Sequence, residues 1–238
     1  MKRDRYFFSA ASFVLLAFLL IGFRKFYLHG VESDDTPIPP AIKALVIVHG
    51  LALSAWVVLF FVQSVLIASR NRRLHMKLGW AAAAVALAIA VSGPITAVAA
   101  VRVRPGEQLF GMTYRQFLLP MFIEIIAFTV FIGLGLLNRN RPAIHRSMMV
   151  LATLSVISGA TSRTEFLYPI FGTDGWFGLF GPVLVLGAAI LLVRLILTRS
   201  LDWWYATGYV ALAATYILAM NLAVGGPWSH LALRIARD

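Results

Sequence analysis

Seven runs of mostly apolar residues, each divided from the next by a short polar or basic stretch, account for most of the chain. They fall at about residues 6–23, 44–67, 76–101, 117–137, 146–164, 176–198 and 203–222. A helix needs about 20 such residues to cross the hydrocarbon layer. The pattern therefore predicts an all-α polytopic transmembrane bundle of about seven helices. The first run is longer than the apolar part of a signal peptide, and no small-x-small cleavage site follows it, so it reads as a first membrane helix. The last run is approached by "RSLDWWY", in which Trp203, Trp204 and Tyr205 are expected to form an interfacial aromatic belt. Gly93-Pro94 and Gly181-Pro182 are expected to kink or end helices. The polar connector "HGVESDDTPIPP" (29–40) is stiffened by proline. No linker is long enough to separate two folding units, so residues 1–238 read as a single membrane domain. The tail "PWSHLALRIARD" reads as a short interfacial helix.

Composition supports this picture. Of the 238 residues, 60% are hydrophobic and only 13% are charged, about half the charge of a soluble domain. The net charge of +11 would point to nucleic acid in a soluble protein. Here the cations sit in short clusters between apolar runs, where they meet lipid headgroups, so the expected partner is the bilayer and not nucleic acid. The chain has no cysteine, which excludes disulfides, thiolate metal sites and cysteine nucleophiles. With the N-terminus inside, 12 basic residues fall on the cytoplasmic side and 9 outside. Glu32, Asp34, Asp35, Glu107, Glu165 and Asp174 fall outside as well, and the expected orientation is N-inside, C-outside.

"RNRRLHMKLGW" (70–80) has a counterpart in "RNRPAIHRSMM" (139–149). In each, a basic loop runs into a histidine at the mouth of an apolar segment, which marks a weak internal repeat of segments 2–3 and 4–5. His75 and His145 are then expected at the same cytoplasmic depth on parallel helices. Eighteen residues make five helical turns, which would bring Gly93 under His75 and Arg163 under His145. Small residues fill both stripes: Gly79, Ala82 and Ala86 on one, Ala152 and Gly159 on the other. Such faces let helices pack closely in lipid. They equally suit a cleft for a flat cofactor, a haem b with His75 and His145 as its two ligands. The neighbours Arg73, Lys77 and Arg146 favour headgroup-level histidines, and both readings stay open.

A second constellation lies deeper. His49, Trp56 and Gln63 are seven residues apart and share one helix face, because a helix drifts only about 20° in seven residues. Glu124 lies about 10 Å below the outer surface by helical rise. "SRTEF" adds Arg163 and Glu165. Polar groups inside a bilayer turn towards the bundle interior, so His49, Glu124 and Arg163 are expected to meet there as a ligand, proton or packing site. Glu124 would be neutralised by Arg163 or His49. A metal centre needs three or four ligands. This side supplies only His49, Glu124 and Glu165, with His29 from the loop, and no metal site is expected. Catalytic motifs such as HExxH, GxSxG or a glycine-rich phosphate loop are absent from the sequence.

The runs "GFRKFYLHG", "VHGLALSAWVVLFFVQSVLIASRNRRLHMKLG" and "RNRPAIHRSMMVLATLSVISGATSR" resemble a widespread set of small bacterial polytopic membrane proteins. The resemblance covers most of segments 1 to 5 and fades over the last two. It implies a bacterial inner-membrane location and carries over no catalytic residue. A weaker likeness is to cytochrome b561-type electron carriers, in which histidines on four core helices hold two haems. His49, His75 and His145 stand at three such positions, but segment 4 has no histidine. That likeness implies at most one haem, between His75 and His145. Three function classes follow: a redox-linked protein with a single b-type haem, a carrier or lipid- or small-ligand-binding bundle with the outer polar site, or an accessory subunit of a membrane complex. Homo-oligomer formation is compatible with each.

Overall fold

The computed structural model describes residues 2–237, with side chains from residue 6 to residue 235. The cations Lys2, Arg3 and Arg5, on which the orientation partly leans, have side chains outside the described residues. Helix α1 spans Lys2–Gly22, α2 Arg24–His29, α3 Lys43–Ala68 and α4 Arg72–Val103. A two-residue hairpin, β1 Gln108–Leu109 and β2 Met112–Thr113, leads into α5 Tyr114–Leu137. Then come α6 Pro142–Val156, α7 Ser158–Thr161, a 3-10 turn Glu165–Leu167 and α8 Tyr168–Phe171. Helices α9 Gly175–Thr198, α10 Trp203–Ala223 and α11 Gly226–Arg237 complete the described chain.

Local chemistry sets most of the boundaries. Asn71 caps α4 by accepting from Leu74 N, and Asp202 caps α10 by accepting from Tyr205 N. Thr113 and Gln116 form a reciprocal capping box at α5. Pro142 opens α6, where its missing N–H costs nothing. The hairpin turns through Phe110 and Gly111, both at positive φ, as a tight two-residue turn requires. Pro94, Pro120 and Pro182 lie inside helices that continue through them.

Five helices, α3, α4, α5, α9 and α10, are long and apolar enough to cross a membrane. The protein is thus a multi-pass membrane protein with an all-helical bundle. α1 offers a shorter apolar stretch, Tyr6–Gly22. It packs antiparallel to α3, with Ser12 hydrogen-bonded to Ser64 and Tyr27, just beyond it, to Ser54. The connections after α3, α5 and α9 gather at one end of the bundle, called the basic end for Arg70, Arg72, Arg139, Arg141 and Arg199.

The expected single helix over 146–164 is not what forms. α6 stops at Val156, Ile157 breaks the run, and α7 adds one turn before the chain turns into the 3-10 segment. α6 is also the most enclosed helix: Ser147, Val150, Leu151, Ala152, Thr153, Leu154 and Ser155 are all buried, packed by α5 and α10. Two contacts hold the break. The Tyr216 hydroxyl donates to the Ser155 carbonyl at 2.9 Å. Gly22 at the end of α1 lies directly on the Ala160 backbone. The surrounding core includes Phe180 stacked on Tyr216, with centroids 4.0 Å apart, and Trp56 edge-on to Phe128 at 5.1 Å.

The aromatic belt also differs from expectation. Trp203 and Trp204 are exposed, but Tyr205 is buried and donates to the Gly187 carbonyl at 2.9 Å. The tail does form a helix: α11 lies against α4 and α5 through Ala232 and Trp228, whose Nε1 donates to the Arg115 carbonyl.

Candidate functional site: two histidines at the basic end

α4 and α6 each begin just past a short basic connection, and each carries its histidine in the first turn. The rings of His75 and His145 meet edge to face, with centroids 6.4 Å apart and planes at 87°. His145 Nδ1 donates to the Gly135 carbonyl on α5 at 2.9 Å. Because a carbonyl only accepts, Nδ1 carries the proton in this bond, and Nε2 is the nitrogen that the neutral ring would offer as a base or ligand. The contact is close because Gly135 has no side chain: a Cβ there would lie 2.1 Å from Met149 Cε.

His75 is held differently. Its Nδ1 is buried without a hydrogen bond. The Gln63 Oε1 is likewise buried without a partner. Buried polar atoms are rarely left so in native proteins, and two of them here lie on α3 and α4 close to one another. One turn along from His75, a Cβ on Gly79 would meet nothing within 4 Å, so that face of α4 opens onto free space.

The outer constellation separates into individual partnerships. His49 Nδ1 pairs with Ser92 Oγ on α4 at 2.9 Å, and its ring packs over Gly93 beside Ile125. Trp56 Nε1 donates to Thr153 Oγ1 on α6 at 3.2 Å. Glu124 accepts from the Ser158 hydroxyl, and neither Arg163 nor His49 is its partner. Arg163 donates to the Gly159 carbonyl at 2.6 Å and lies 5.5 Å over the Phe23 ring. It does not fall under His145 on a continuous helix, since the break at Ile157 ends the register that five turns would need. Glu165 leaves the group altogether for an exposed ion pair with Arg24 at 2.7 Å and with Lys25 at 3.5 Å. The Arg24 hydrogen bond holds the Glu165 carboxyl below its ordinary pKa, with Lys25 adding to the effect.

Several functional partners were not found from sequence. Ser92, Thr153, Ser158 and the Gly135 carbonyl are matched across helices, and no local spacing points to them. Two ion pairs were missed for the same reason. Glu32 in the 29–40 connector makes a bidentate pair with Arg104. At the basic end, Asp202 is buried between Arg194 and Ser147, both of which donate to its Oδ2. The rings of Phe8 and the guanidiniums of Arg146 and Arg194 approach to 5.2 and 5.4 Å there.

Comparison with protein-family models, curated proteins and solved structures finds no match. The reading of the site therefore rests on its own chemistry. Among the described residues, no group of three or more His, Asp or Glu could hold a metal ion. Two imidazoles, one from α4 and one from α6, are the donors at this end.

Proposed function

We propose that the protein is a redox-linked membrane protein that holds one b-type haem between α4 and α6, where His75 and His145 would hold it. One observation carries the reading, the 6.4 Å separation of the two rings. Two imidazoles that ligate one metal from opposite sides, with metal–nitrogen bonds of about 2.0–2.1 Å, place their ring centres about 6 Å apart. When bound, the group supplies a one-electron iron centre. The chain's own residues then have separate tasks. Gly135 orients His145 and keeps its Nε2 available, as second-shell carbonyls do for metal-bound histidines. His75 and Gln63 contribute polar atoms that otherwise lie unpaired. The small side at Gly79 leaves room beside His75, and Arg72 and Lys77 at the basic end are suited to meet propionate carboxylates.

The same reading takes all seven segments as crossing the bilayer of a bacterial inner membrane, with the basic end in the cytoplasm. The cation bias at that end and the resemblance described above support this placement. The iron centre would then sit towards the cytoplasmic side. The carrier reading has less support, because His49, Glu124 and Arg163 each take a different partner.

Haem titration into purified protein in lipid nanodiscs tests the proposal. One haem per chain is expected, with binding weakened by at least about tenfold in His75→Ala and in His145→Ala, the usual cost of losing a metal-site residue. Equal loading of both variants and the wild type would rule it out.

A further inference from the structure

Glu124 is the only carboxylate inside the five long apolar helices. A charged carboxylate in hydrocarbon is costly unless it is paired, and it otherwise takes up a proton. Its partner is a neutral hydroxyl, Ser158, in the broken stretch between α6 and the 3-10 turn. That stretch is rich in buried hydroxyls: Ser155, Ser158, Thr161, Ser162 and Thr164 are all 5% exposed or less. Most of them donate to their own chain. Ser155 bonds the Ala152 carbonyl, Thr161 that of Ser158, and Thr164 that of Ala160. Ser158 alone among these turns its hydroxyl to a side chain on another helix.

We propose that Glu124 is a reversible proton-binding site inside the membrane, with Ser158 as its hydrogen-bond partner. The carboxyl releases one proton and takes one back, and no electron moves. Ser158 serves both forms, because its hydroxyl donates to the carboxylate and can accept from the acid.

The groups around Glu124 leave both forms accessible. Arg163, beyond α7, forms no ion pair with Glu124, and its guanidinium donates to the Gly159 carbonyl. From α10, Tyr216 commits its hydroxyl to the Ser155 carbonyl. From α3, His49 is bonded to Ser92 and packs beside Ile125, the next residue along α5. On α11, His230 and Arg234 are exposed. No single cation therefore neutralises the carboxylate, and protonation does so instead. This site is independent of the histidine pair and needs no cofactor, so its test uses haem-free protein.

Infrared difference spectra of the full chain in sodium-free nanodiscs, stepped between about pH 5 and about pH 9, cover the range in which buried carboxyls titrate while exposed ones are already ionised. The expected result is one carboxylic C=O band that fades as pH rises, is absent from Glu124→Gln and shifts in frequency in Ser158→Ala. Glu124→Asp, which keeps the carboxyl, should move the band without abolishing it, and it serves as the reading if the Gln variant fails to fold. No variant-sensitive band across this range would overturn the proposal. So would a midpoint that moves with added sodium, which would make Glu124 a sodium ligand.

Discussion

Replacing Gly22 by alanine tests the docking of α1 on the broken segment. A Cβ built at Gly22 would lie 2.1 Å from the Ala160 oxygen, 2.7 Å from its carbonyl carbon and 2.8 Å from its Cα. Atoms in van der Waals contact sit about 3.5–4.0 Å apart, so the helices would have to part by more than an ångström. All three obstructing atoms are backbone and cannot rotate away, unlike the Ile125 side chain that faces Gly93. Overpacking of this kind costs about 1–3 kcal/mol. Gly22 is the last residue of α1, where the mid-helix advantage of alanine over glycine does not apply, so Gly22→Ala should destabilise by about 1–3 kcal/mol. Gly79→Ala is the control: its Cβ would meet nothing within 4 Å, and it should be neutral or slightly stabilising. Reversible unfolding in mixed detergent micelles, read by tryptophan fluorescence, compares the two. A Gly22→Ala protein as stable as Gly79→Ala would show that α1 does not rest on the α7 backbone.

Two further outcomes follow from the ion pairs. Asp202→Ala removes the α10 cap, worth about 1 kcal/mol, together with a buried carboxylate shared by Arg194 and Ser147, so a total loss of about 3 kcal/mol or more is expected. The same unfolding assay reads it, and a loss no larger than that of a surface cap would refute the burial. At the far end, the Glu165 carboxyl is held below its ordinary value by Arg24 and Lys25. Its contribution is therefore fully present above about pH 4.3 and disappears as pH falls through the lower folded value. The melting-temperature difference between wild type and Glu165→Gln should be constant from about pH 5 upward and vanish in more acid solution. A difference that instead grew on acidification would contradict the assigned sign.

The membrane helices were legible because length and apolar content alone decide them. α3, α4, α5, α9 and α10 each fall within a few residues of their predicted runs. The break at Ile157 was not legible, because "SVISGATSR" has the composition of a small-residue helix. Three of its four hydroxyls, those of Ser155, Thr161 and Ser162, bond back to carbonyls three residues earlier, which loosens a helix without leaving a breaker such as proline in the sequence. Spacing did indicate which faces carry His49, Trp56 and Gln63. It could not say which residue lies opposite. Thus nothing in the sequence points to Ser92, Thr153 or Ser158, the hydroxyl of Ser158 takes the place beside Glu124 that spacing assigns to Arg163 or His49, and Glu165, expected near the outer polar site, pairs with Arg24 at the surface instead. The duplicated basic loop was more informative. It put two histidines in the first turns of two helices, and their rings lie 6.4 Å apart, edge to face.

Those rings also provide the most direct test. Low-temperature electron paramagnetic resonance of ferric haem bound to the purified protein reports both the number of axial imidazoles and the angle between their planes. With two ligands and planes near the observed 87°, a low-spin signal of large anisotropy is expected. It should convert to high spin in His75→Ala and in His145→Ala. A high-spin signal from the wild type, or a low-spin signal that survives loss of either histidine, would contradict the account.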